Sequence, residues 1–339
     1  MTSKPAGKRP RYLIVGGGIA GCSLAYVLGQ AGLEVRLIEA GEIGKTGASS
    51  VPMALMNPHR GRMARASELD LAGLHAMQEL DQDLRAQGLD AGIHWTGVLR
   101  IASNEKQRKK WAKLTVQQLE PSEISSAYHA PFGGIFSAEA GWLEPDKLLR
   151  ALKQAAEAKG VQFFENVRVQ TLETGFKLET TAGIEEADKV IFCTGASENR
   201  GFDLPEFEPM AGDVIALEAN ITMPYPIAGA IYGMQNKGLI YMGGNHRERL
   251  EPEAEDIERL KESSSWFLKD LKDSAITQVW SGIRAKSADN KPLLTELHPN
   301  LWFFGALGGR GFLCSYHLAN VLAKKLVTGE LITESEDLV

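Results

Sequence analysis

YLIVGGGIAG, residues 12–21, decides the fold of this chain. Its first four apolar residues predict a short buried strand. The glycines Gly16-x-Gly18-x-x-Gly21 then lead into a segment whose apolar residues recur at helical spacing. Gly32 is predicted to end that helix, and a second parallel strand is predicted over 34–38. The stretch therefore predicts a complete strand–helix–strand unit at the start of the protein.

The glycine spacing matches the fingerprint of dinucleotide-binding folds. Gly16 permits the tight turn, Gly18 lets the backbone approach a pyrophosphate, and Gly21 lets the helix pack closely on the strand. The helix N-terminus, including Ile19 and Ala20, offers free N–H groups and a partial positive charge to phosphates. Glu39 ends the second strand, where its carboxylate is placed to bind a ribose and to disfavour a ribose phosphate.

The rest of the chain shows two different patterns of predicted secondary structure. Strand–helix patterns recur over 145–194 and 301–326, whereas the segments between them carry strand patterns interrupted by Gly, Pro and Asn. Strands that do not alternate with helices indicate an antiparallel sheet. We therefore predict an α/β protein with a Rossmann-type domain, discontinuous over 9–85, 139–205 and 278–330, and an inserted antiparallel β-sheet-rich substrate domain over 86–138 and 206–277.

The glycine-rich segment at 305–311 distinguishes FAD from NAD. It opens the last predicted helix, and a helix N-terminus suits the electron-rich edge of a reduced flavin. Only one fingerprint in the chain leads from a strand into a helix, which argues against a reductase that binds two dinucleotides. FAD is therefore the expected cofactor.

Composition narrows the classes of function. The 339 residues carry a formal net charge of −6, so the overall charge gives no case for binding nucleic acid. Two local stretches, 59–65 and 106–113, are nonetheless basic; either could hold an RNA backbone, and solvated loop and helix faces are the simpler interpretation. No apolar run approaches the roughly 18 residues of a membrane span.

The N-terminus and the cysteines indicate the compartment. Residues 1–11 are polar and basic and lack the apolar segment of a signal peptide, so a cytoplasmic location is expected. The three cysteines, Cys22, Cys193 and Cys314, are far apart in apolar or glycine-rich surroundings and predict buried reduced thiols. Neither the cysteines nor the histidines show metal-ligand spacing, so no metal is expected.

Four motifs spread over the chain resemble the D-amino-acid oxidase and glycine oxidase family of flavoenzymes. They are the N-terminal loop with Glu39, GASS at 47–50, GWLEPDKL at 141–148, and a C-terminal block of WSGIR at 280–284, DNKP at 289–292 and GALGGRG at 305–311. The last loop is most similar to that in the flavin domain of MnmC-type tRNA-modification enzymes. So is Ala285, which stands where many amino-acid oxidases have proline.

The resemblance implies a glycine oxidase-like fold and a non-covalently bound FAD. The residues expected to contact this cofactor lie on the two glycine loops, on the 47–50 turn and at two strand ends. They are Gly16, Gly18, Ile19, Ala20, Gly21, Glu39, Ala40, Ala48, Ser49, Ser50, Val169, Thr194, Gly195, Arg284, Gly308, Gly309, Arg310, Gly311 and Phe312.

Amine oxidation by a flavin requires the substrate carbon to be held against the ring, and an arginine that grips a carboxylate can position it. By resemblance, Arg284 is the expected carboxylate ligand, with a structural pairing to Asp289 or a flavin carbonyl as its alternative. Arg310 is the second catalytic candidate. Tyr241 is the third catalytic candidate. Both it and Tyr232 lie on predicted strands from which they could face the substrate, although a tyrosine at such a position is more often a half-buried sheet residue.

Three functions are compatible with these residues. The leading hypothesis is an FAD-dependent enzyme that oxidises the C–N bond of a small amino acid or secondary amine. The alternative is a stand-alone tRNA wobble-uridine oxidoreductase that removes a carboxymethyl group, since that base carries a glycine-like secondary amine. A non-catalytic flavin-binding protein is the third. VPMA at 51–54 replaces the asparagine- and glycine-containing stretch usual in the family, which leaves the substrate open.

Overall fold

The structure is a computed structural model that describes residues 10–173, 176–197, 202–268 and 271–329. The predictions about a leader segment and about the outermost domain bounds depend on the two ends of the chain. Both ends lie outside the described residues. Within them, no helix is long and apolar enough to cross a membrane.

A six-stranded sheet forms the core of the nucleotide-binding part. Its strand order is β19-β20-β13-β1-β2-β9, and all neighbours are parallel except β19 and β20. The strands are β1 (Arg11–Val15), β2 (Glu34–Ile38), β9 (Gln162–Phe164), β13 (Lys189–Phe192), β19 (Leu293–His298) and β20 (Leu301–Gly305). The chain moves from β1 to β2 on one side and returns to β13 on the other. Ligands bind at the carboxyl ends of strands beside such a reversal.

Four helices pack around this sheet and one another. They are α1 (Ile19–Gln30), α2 (Glu68–Ala86), α4 (Pro145–Glu157) and α6 (Gly311–Thr328). Helix α1 is the central one, contacting both α4 and α6, and its residues from Ile19 to Gly29 are all buried. Leu24 and Leu28 have no exposed surface, and burying a leucine contributes about 1.5–3 kcal/mol. Helix α1, which begins inside the dinucleotide fingerprint, is therefore held in place by packing on several sides.

An eight-stranded sheet forms the second layer of the protein. Its order is β18-β14-β17-β16-β15-β5-β7-β6, and the strands are antiparallel except for the β15–β5 pair. The strands are β5 (Val98–Ile101), β6 (Gln117–Leu119), β7 (Gly134–Ser137), β14 (Glu208–Glu218), β15 (Ile227–Ala228), β16 (Tyr232–Asn236), β17 (Leu239–Gly243) and β18 (Ala275–Lys286). Helix α5 (Ala254–Phe267) packs on one face, and the short α3 (Glu105–Trp111) lies near β6.

The α/β class with an antiparallel substrate sheet is confirmed. The predicted boundary at residue 278, however, falls inside β18, which pairs with β14 from Ala275 to Lys286. The division into domains stays a prediction; in the sheet pattern, β18 belongs with the substrate layer. This strand carries Arg284, so the arginine expected at the substrate sits on the edge strand of the large sheet.

Two small sheets complete the described structure. One consists of β3 (Ala54–Met56), β8 (Gly141–Leu143) and β4 (Ile93–His94), and the other of β10 (Val169–Glu173), β11 (Lys177–Thr180) and β12 (Gly183–Glu186).

The three cysteines are buried and free, as predicted. Burial raises the pKa of each thiol, that of Cys314 to about 12.

Candidate cofactor and active site

The glycine loop after β1 leaves no room for side chains at its key positions. Gly16 has a φ of +110°, and a Cβ there would lie 2.4 Å from the carbonyl oxygen of Cys193. A Cβ on Gly21 would lie 1.9 Å from the carbonyl oxygen of Gly16. Both contacts are shorter than atoms tolerate, so the turn requires glycine. The loop therefore holds β1, β13 and α1 as close together as the fingerprint predicts.

Two side chains from the segments after α1 accept hydrogen bonds from backbone amides of this loop. The carboxylate of Glu39 accepts hydrogen bonds from the backbone amides of Gly17 at 2.6 Å and Gly41 at 2.9 Å. The hydroxyl of Ser49 accepts one from the amide of Ile19 at 3.1 Å, at the first turn of α1. Ser49 thus lies at the helix end where a pyrophosphate is expected.

The late glycine loop meets the early one. A Cβ on Gly311, the first residue of α6, would lie 3.4 Å from Cγ2 of Ile19. Gly308 has a φ of +53°, which favours glycine. The 305–311 loop and the 16–21 loop therefore face each other, although nearly 300 residues separate them.

Two further predicted cofactor contacts lie outside the glycine loops. Thr194 follows β13, and its buried hydroxyl has no hydrogen-bond partner among the described residues, so a bound ligand would satisfy it. Val169 is buried at the start of β10, two residues beyond Val167, whose amide donates to the Glu39 carbonyl. These observations fit a dinucleotide laid along both loops. The individual contacts stay predictions.

Arg284 lies where β18 touches the late loop. Lys286, two residues further on, forms an antiparallel bridge with Leu307, immediately before Gly308. A guanidinium nitrogen of Arg284, Nη1, lies 3.6 Å from the position that a Cβ on Gly309 would take. The other, Nη2, lies 3.2 Å from Nδ1 of His246. Burial and the charge of Arg284 both lower the pKa of His246.

The two tyrosines share the face of the sheet that carries Arg284. Their positions follow from pairing: Tyr241 lies opposite Ala216, while Tyr232 lies opposite Gly243. The ring of Tyr241 packs 6.1 Å from that of Trp280 within an apolar cluster. Burial raises the pKa of the Tyr232 hydroxyl, while the charge of Arg284 opposes the rise. Both tyrosines stay candidates for a polar substrate contact.

The segment after the 47–50 turn forms the opposite wall. Val51, Met53 and Leu55 pack in the cluster that contains Tyr241 and Trp280. Val51 and Met53 belong to the VPMA stretch, where the sequence departs from the family pattern. The departure therefore places apolar side chains against the face of the large sheet that carries Tyr241 and Trp280.

Arg310 is held by groups of the protein itself. Its Nε lies 3.5 Å from Oδ1 of Asp70, and its Nη1 donates to the Asn290 carbonyl at 3.3 Å. Asp70 is buried at the start of α2, where it also completes a capping box with Ser67. The same carboxylate oxygen lies 3.7 Å from Nη1 of Arg60. Sequence reasoning missed Asp70 as a site residue and treated Arg60 only as part of a basic stretch.

The two basic stretches come together in one groove of about 920 Å³. Five cationic side chains line it, together with Met63, Glu105 and Leu114. They are Arg65, Lys106, Lys109, Lys110 and Lys113. The 60–65 turn connects this groove to the late glycine loop, because Arg60 at its other end faces Gly309.

The fold, the paired glycine loops and the acid after β2 define a flavin-dependent oxidoreductase. The family profile described as FAD dependent oxidoreductase matches residues 11–325, and the chain belongs to this family. It is an FAD-binding enzyme of the D-amino-acid oxidase class. Among the described residues, no cluster of side chains suits a metal ion.

Several relatives resemble most of the chain. Glycine oxidase of Bacillus licheniformis is 24% identical over 365 residues, covering 96% of this chain and 93% of that protein. The bifunctional protein MnmC of Maricaulis maris, named for tRNA 5-methylaminomethyl-2-thiouridine biosynthesis, is 26% identical over 93% of this chain but only 52% of its own length. The crystal structure of glycine oxidase from Geobacillus kaustophilus superposes with a TM-score of 0.83 at 23% identity, covering 98% of each chain. That likeness shows the fold.

Proposed function

We propose that this enzyme oxidises the C–N bond of a small amino acid or secondary amine that carries a carboxylate. Arg284 carries the proposal, because the bridge between Lys286 and Leu307 fixes its strand against the flavin loop. A guanidinium held in this way can bind a carboxylate through two parallel hydrogen bonds. The amine-bearing carbon is then positioned at the ring rather than free to rotate.

FAD held along the 16–21 and 305–311 loops would supply the acceptor for the two electrons and the hydrogen that leave the amine-bearing carbon, and water would hydrolyse the imine product. The protein's part is binding and exclusion of water. Tyr232 and Arg284 provide the polar contacts, whereas Val51, Met53 and Trp280 provide an apolar wall. No strong base is required if the amine arrives neutral.

The experiment is anaerobic mixing of the holoenzyme with glycine, sarcosine and a panel of D-amino acids. Loss of the yellow flavin absorbance with at least one carboxylate-bearing amine is expected. The matched control is the corresponding amine without a carboxylate, for example dimethylamine against sarcosine. If every carboxylate-bearing amine leaves the absorbance unchanged, the proposal fails.

The basic groove favours a second candidate, in which the amine is part of an RNA base. Five cations along a groove that adjoins the flavin crevice suit a sugar–phosphate backbone. Oxidative removal of a carboxymethyl group from a wobble uridine uses the same C–N chemistry. Bulk tRNA from a strain without the gene would then accumulate carboxymethylaminomethyl-uridine; normal tRNA from that strain would exclude this candidate.

A further inference from the structure

Two guanidinium groups, those of Arg60 and Arg284, converge beside Gly309, and Arg60 shares a carboxylate with a third arginine, Arg310. A Cβ on Gly309 would lie 3.1 Å from Nη2 of Arg60 and 3.6 Å from Nη1 of Arg284. Arg310 approaches the same carboxylate, Asp70, as Arg60 does. Among the described residues, Asp70 is the one carboxylate whose charge acts on Arg60. The cluster therefore retains two uncompensated positive charges in a partly buried site.

Arg60 is held in place by its backbone rather than by its own side chain. The buried Arg100 donates to the carbonyl of His59 at 2.6 Å and to that of Gly61 at 2.7 Å. These are the two carbonyls on either side of Arg60. The Arg60 amide in turn donates to the Arg65 carbonyl at 3.3 Å. The buried Arg100 therefore fixes the backbone of the turn from which the Arg60 side chain extends.

The side chain of Arg60 is only partly satisfied within the described structure. Its Nη1 is buried and has no hydrogen-bond partner there, and Oδ1 of Asp70 is likewise without one. The 3.7 Å between these atoms is too long for a hydrogen bond. A buried guanidinium that is incompletely paired is costly. Its Nη1 faces Asp70, while its Nη2 faces Gly309, where a ligand would complete the group.

We propose that Arg60 is a second anion-binding residue, so that the enzyme takes an amine flanked by two carboxylates, one bound by Arg284 and the other by Arg60. This inference rests on the proposed function and narrows its substrate class. Both guanidinium groups lie within 3.6 Å of one point beside the late glycine loop, so the two carboxylates must be separated by a short linker. A secondary amine with a carboxymethyl group on each side has this form.

The proposal is tested by binding of carboxylates that the flavin cannot oxidise. Holoenzyme is titrated with propionate and with the dicarboxylates malonate, succinate and glutarate, and affinity is measured by calorimetry and by the shift of the flavin spectrum. The wild-type protein is expected to bind one of the dicarboxylates at least ~10-fold more tightly than propionate. Arg60→Gln is expected to abolish that preference while changing propionate affinity by less than ~3-fold.

Two further variants make the test specific. Arg60→Lys keeps the charge and is expected to retain part of the dicarboxylate preference. Arg62→Gln removes an exposed charge from the same turn and is expected to leave all affinities unchanged. Equal weakening of propionate and dicarboxylates by Arg60→Gln would mean that both arginines grip one carboxylate, and it would overturn the proposal. So would a wild-type protein without any dicarboxylate preference.

The failure of this inference is distinguishable from failure of the proposed function. If sarcosine bleaches the flavin and dicarboxylates gain no advantage, only the second anion site is refuted. If dicarboxylates bind preferentially through Arg60 and no small amine bleaches the flavin, the anion site stands and amine oxidation is refuted.

Discussion

The carboxylate of Glu39 accepts a hydrogen bond from the backbone amide of Gly17 across 2.6 Å. This contact ties the end of β2 to the turn after β1, and the second carboxylate oxygen binds the amide of Gly41. The acid that is expected to bind the ribose therefore also shapes the loop that is expected to bind the pyrophosphate.

Glu39→Ala is expected to weaken FAD binding by about 10–150-fold, because a hydrogen bond to a charged group contributes about 1.5–3 kcal/mol. The measurement is titration of apoprotein with FAD, followed by quenching of flavin fluorescence. Glu42→Ala is the control, since Glu42 is exposed three residues away. Unchanged affinity in Glu39→Ala would show that the carboxylate serves the loop alone.

Gly21→Ala is expected to destabilise the holoprotein by about 1–3 kcal/mol and to lower its FAD content. The reason is steric: the new Cβ would meet the Gly16 carbonyl oxygen at 1.9 Å, and overpacking typically costs about 1–3 kcal/mol. Thermal unfolding with excess FAD is the measurement. Gly229→Ala, whose Cβ would make an ordinary contact at 3.6 Å, serves as the control. Equal melting temperatures would contradict the close packing of α1 on β1.

Arg284→Gln is expected to lower kcat/KM for a carboxylate-bearing amine by about 10–150-fold, the range given by a charge-assisted hydrogen bond of about 1.5–3 kcal/mol. Arg284→Lys is expected to recover only part of that loss, because an ammonium group cannot make two parallel bonds to a carboxylate. Steady-state kinetics with sarcosine provide the measurement, and FAD content checks the fold. Wild-type kinetics in Arg284→Gln would remove the arginine from the site.

Asp213→Asn is expected to destabilise the large sheet by about 3–5 kcal/mol, since it leaves the buried Arg247 unpaired. In the native protein, Asp213 accepts two bonds from Arg247 at 2.8 Å each and another from Ser281 at 2.6 Å. Denaturant unfolding at pH 7 with saturating FAD is the measurement. Asp273→Asn, on the exposed surface, is the control and is expected to change little.

The contribution of Asp213 also depends on pH. Burial alone would raise the pKa of its carboxyl, but the hydrogen bonds from Arg247, Ser281 and Asn245 outweigh burial and hold it below its usual value. A depressed carboxyl pKa stabilises the fold at pH values above the unfolded pKa, and this stabilisation is lost as the pH falls through the folded pKa. The stability gap between wild type and Asp213→Asn should therefore narrow below pH ~4. A gap that is constant down to pH ~2 would contradict the ion pair's role.

Replacing Lys106, Lys109 and Lys113 with glutamine is expected to weaken RNA binding and to reduce its dependence on salt. Each lost phosphate contact lowers the slope of log affinity against log salt by ~0.7–0.9. Filter binding of tRNA over a range of salt concentrations measures both quantities. The control replaces three exposed lysines outside the groove, Lys159, Lys177 and Lys272. Equal effects of the two triple variants would exclude the groove as an RNA site.

The nucleotide-binding half of the fold was predictable from sequence because its signals are local. The strand at 12–15, the glycine spacing and the helix after it lie within one short stretch, and β2 was predicted at its observed bounds, Glu34–Ile38. The helices α2 and α5 were missed. Helix α2 has an N-terminal capping box, Ser67 with Asp70, which is a signal that a search for capping residues would have found.

By itself, the sequence determined the α/β class, the FAD-binding loop, the buried free cysteines and the family to which the chain belongs. Only the tertiary structure decided that Arg60 and Arg284 meet beside Gly309, that Arg60 and Arg310 share Asp70, that β18 belongs to the large sheet, and that the two basic stretches line one groove. The physical reason is separation along the chain. Glycine spacing and hydrophobic periodicity predict contacts between residues that are near one another in sequence. The pairing of Asp70 with Arg310 joins α2 to the late glycine loop, and no periodic pattern in the sequence predicts it.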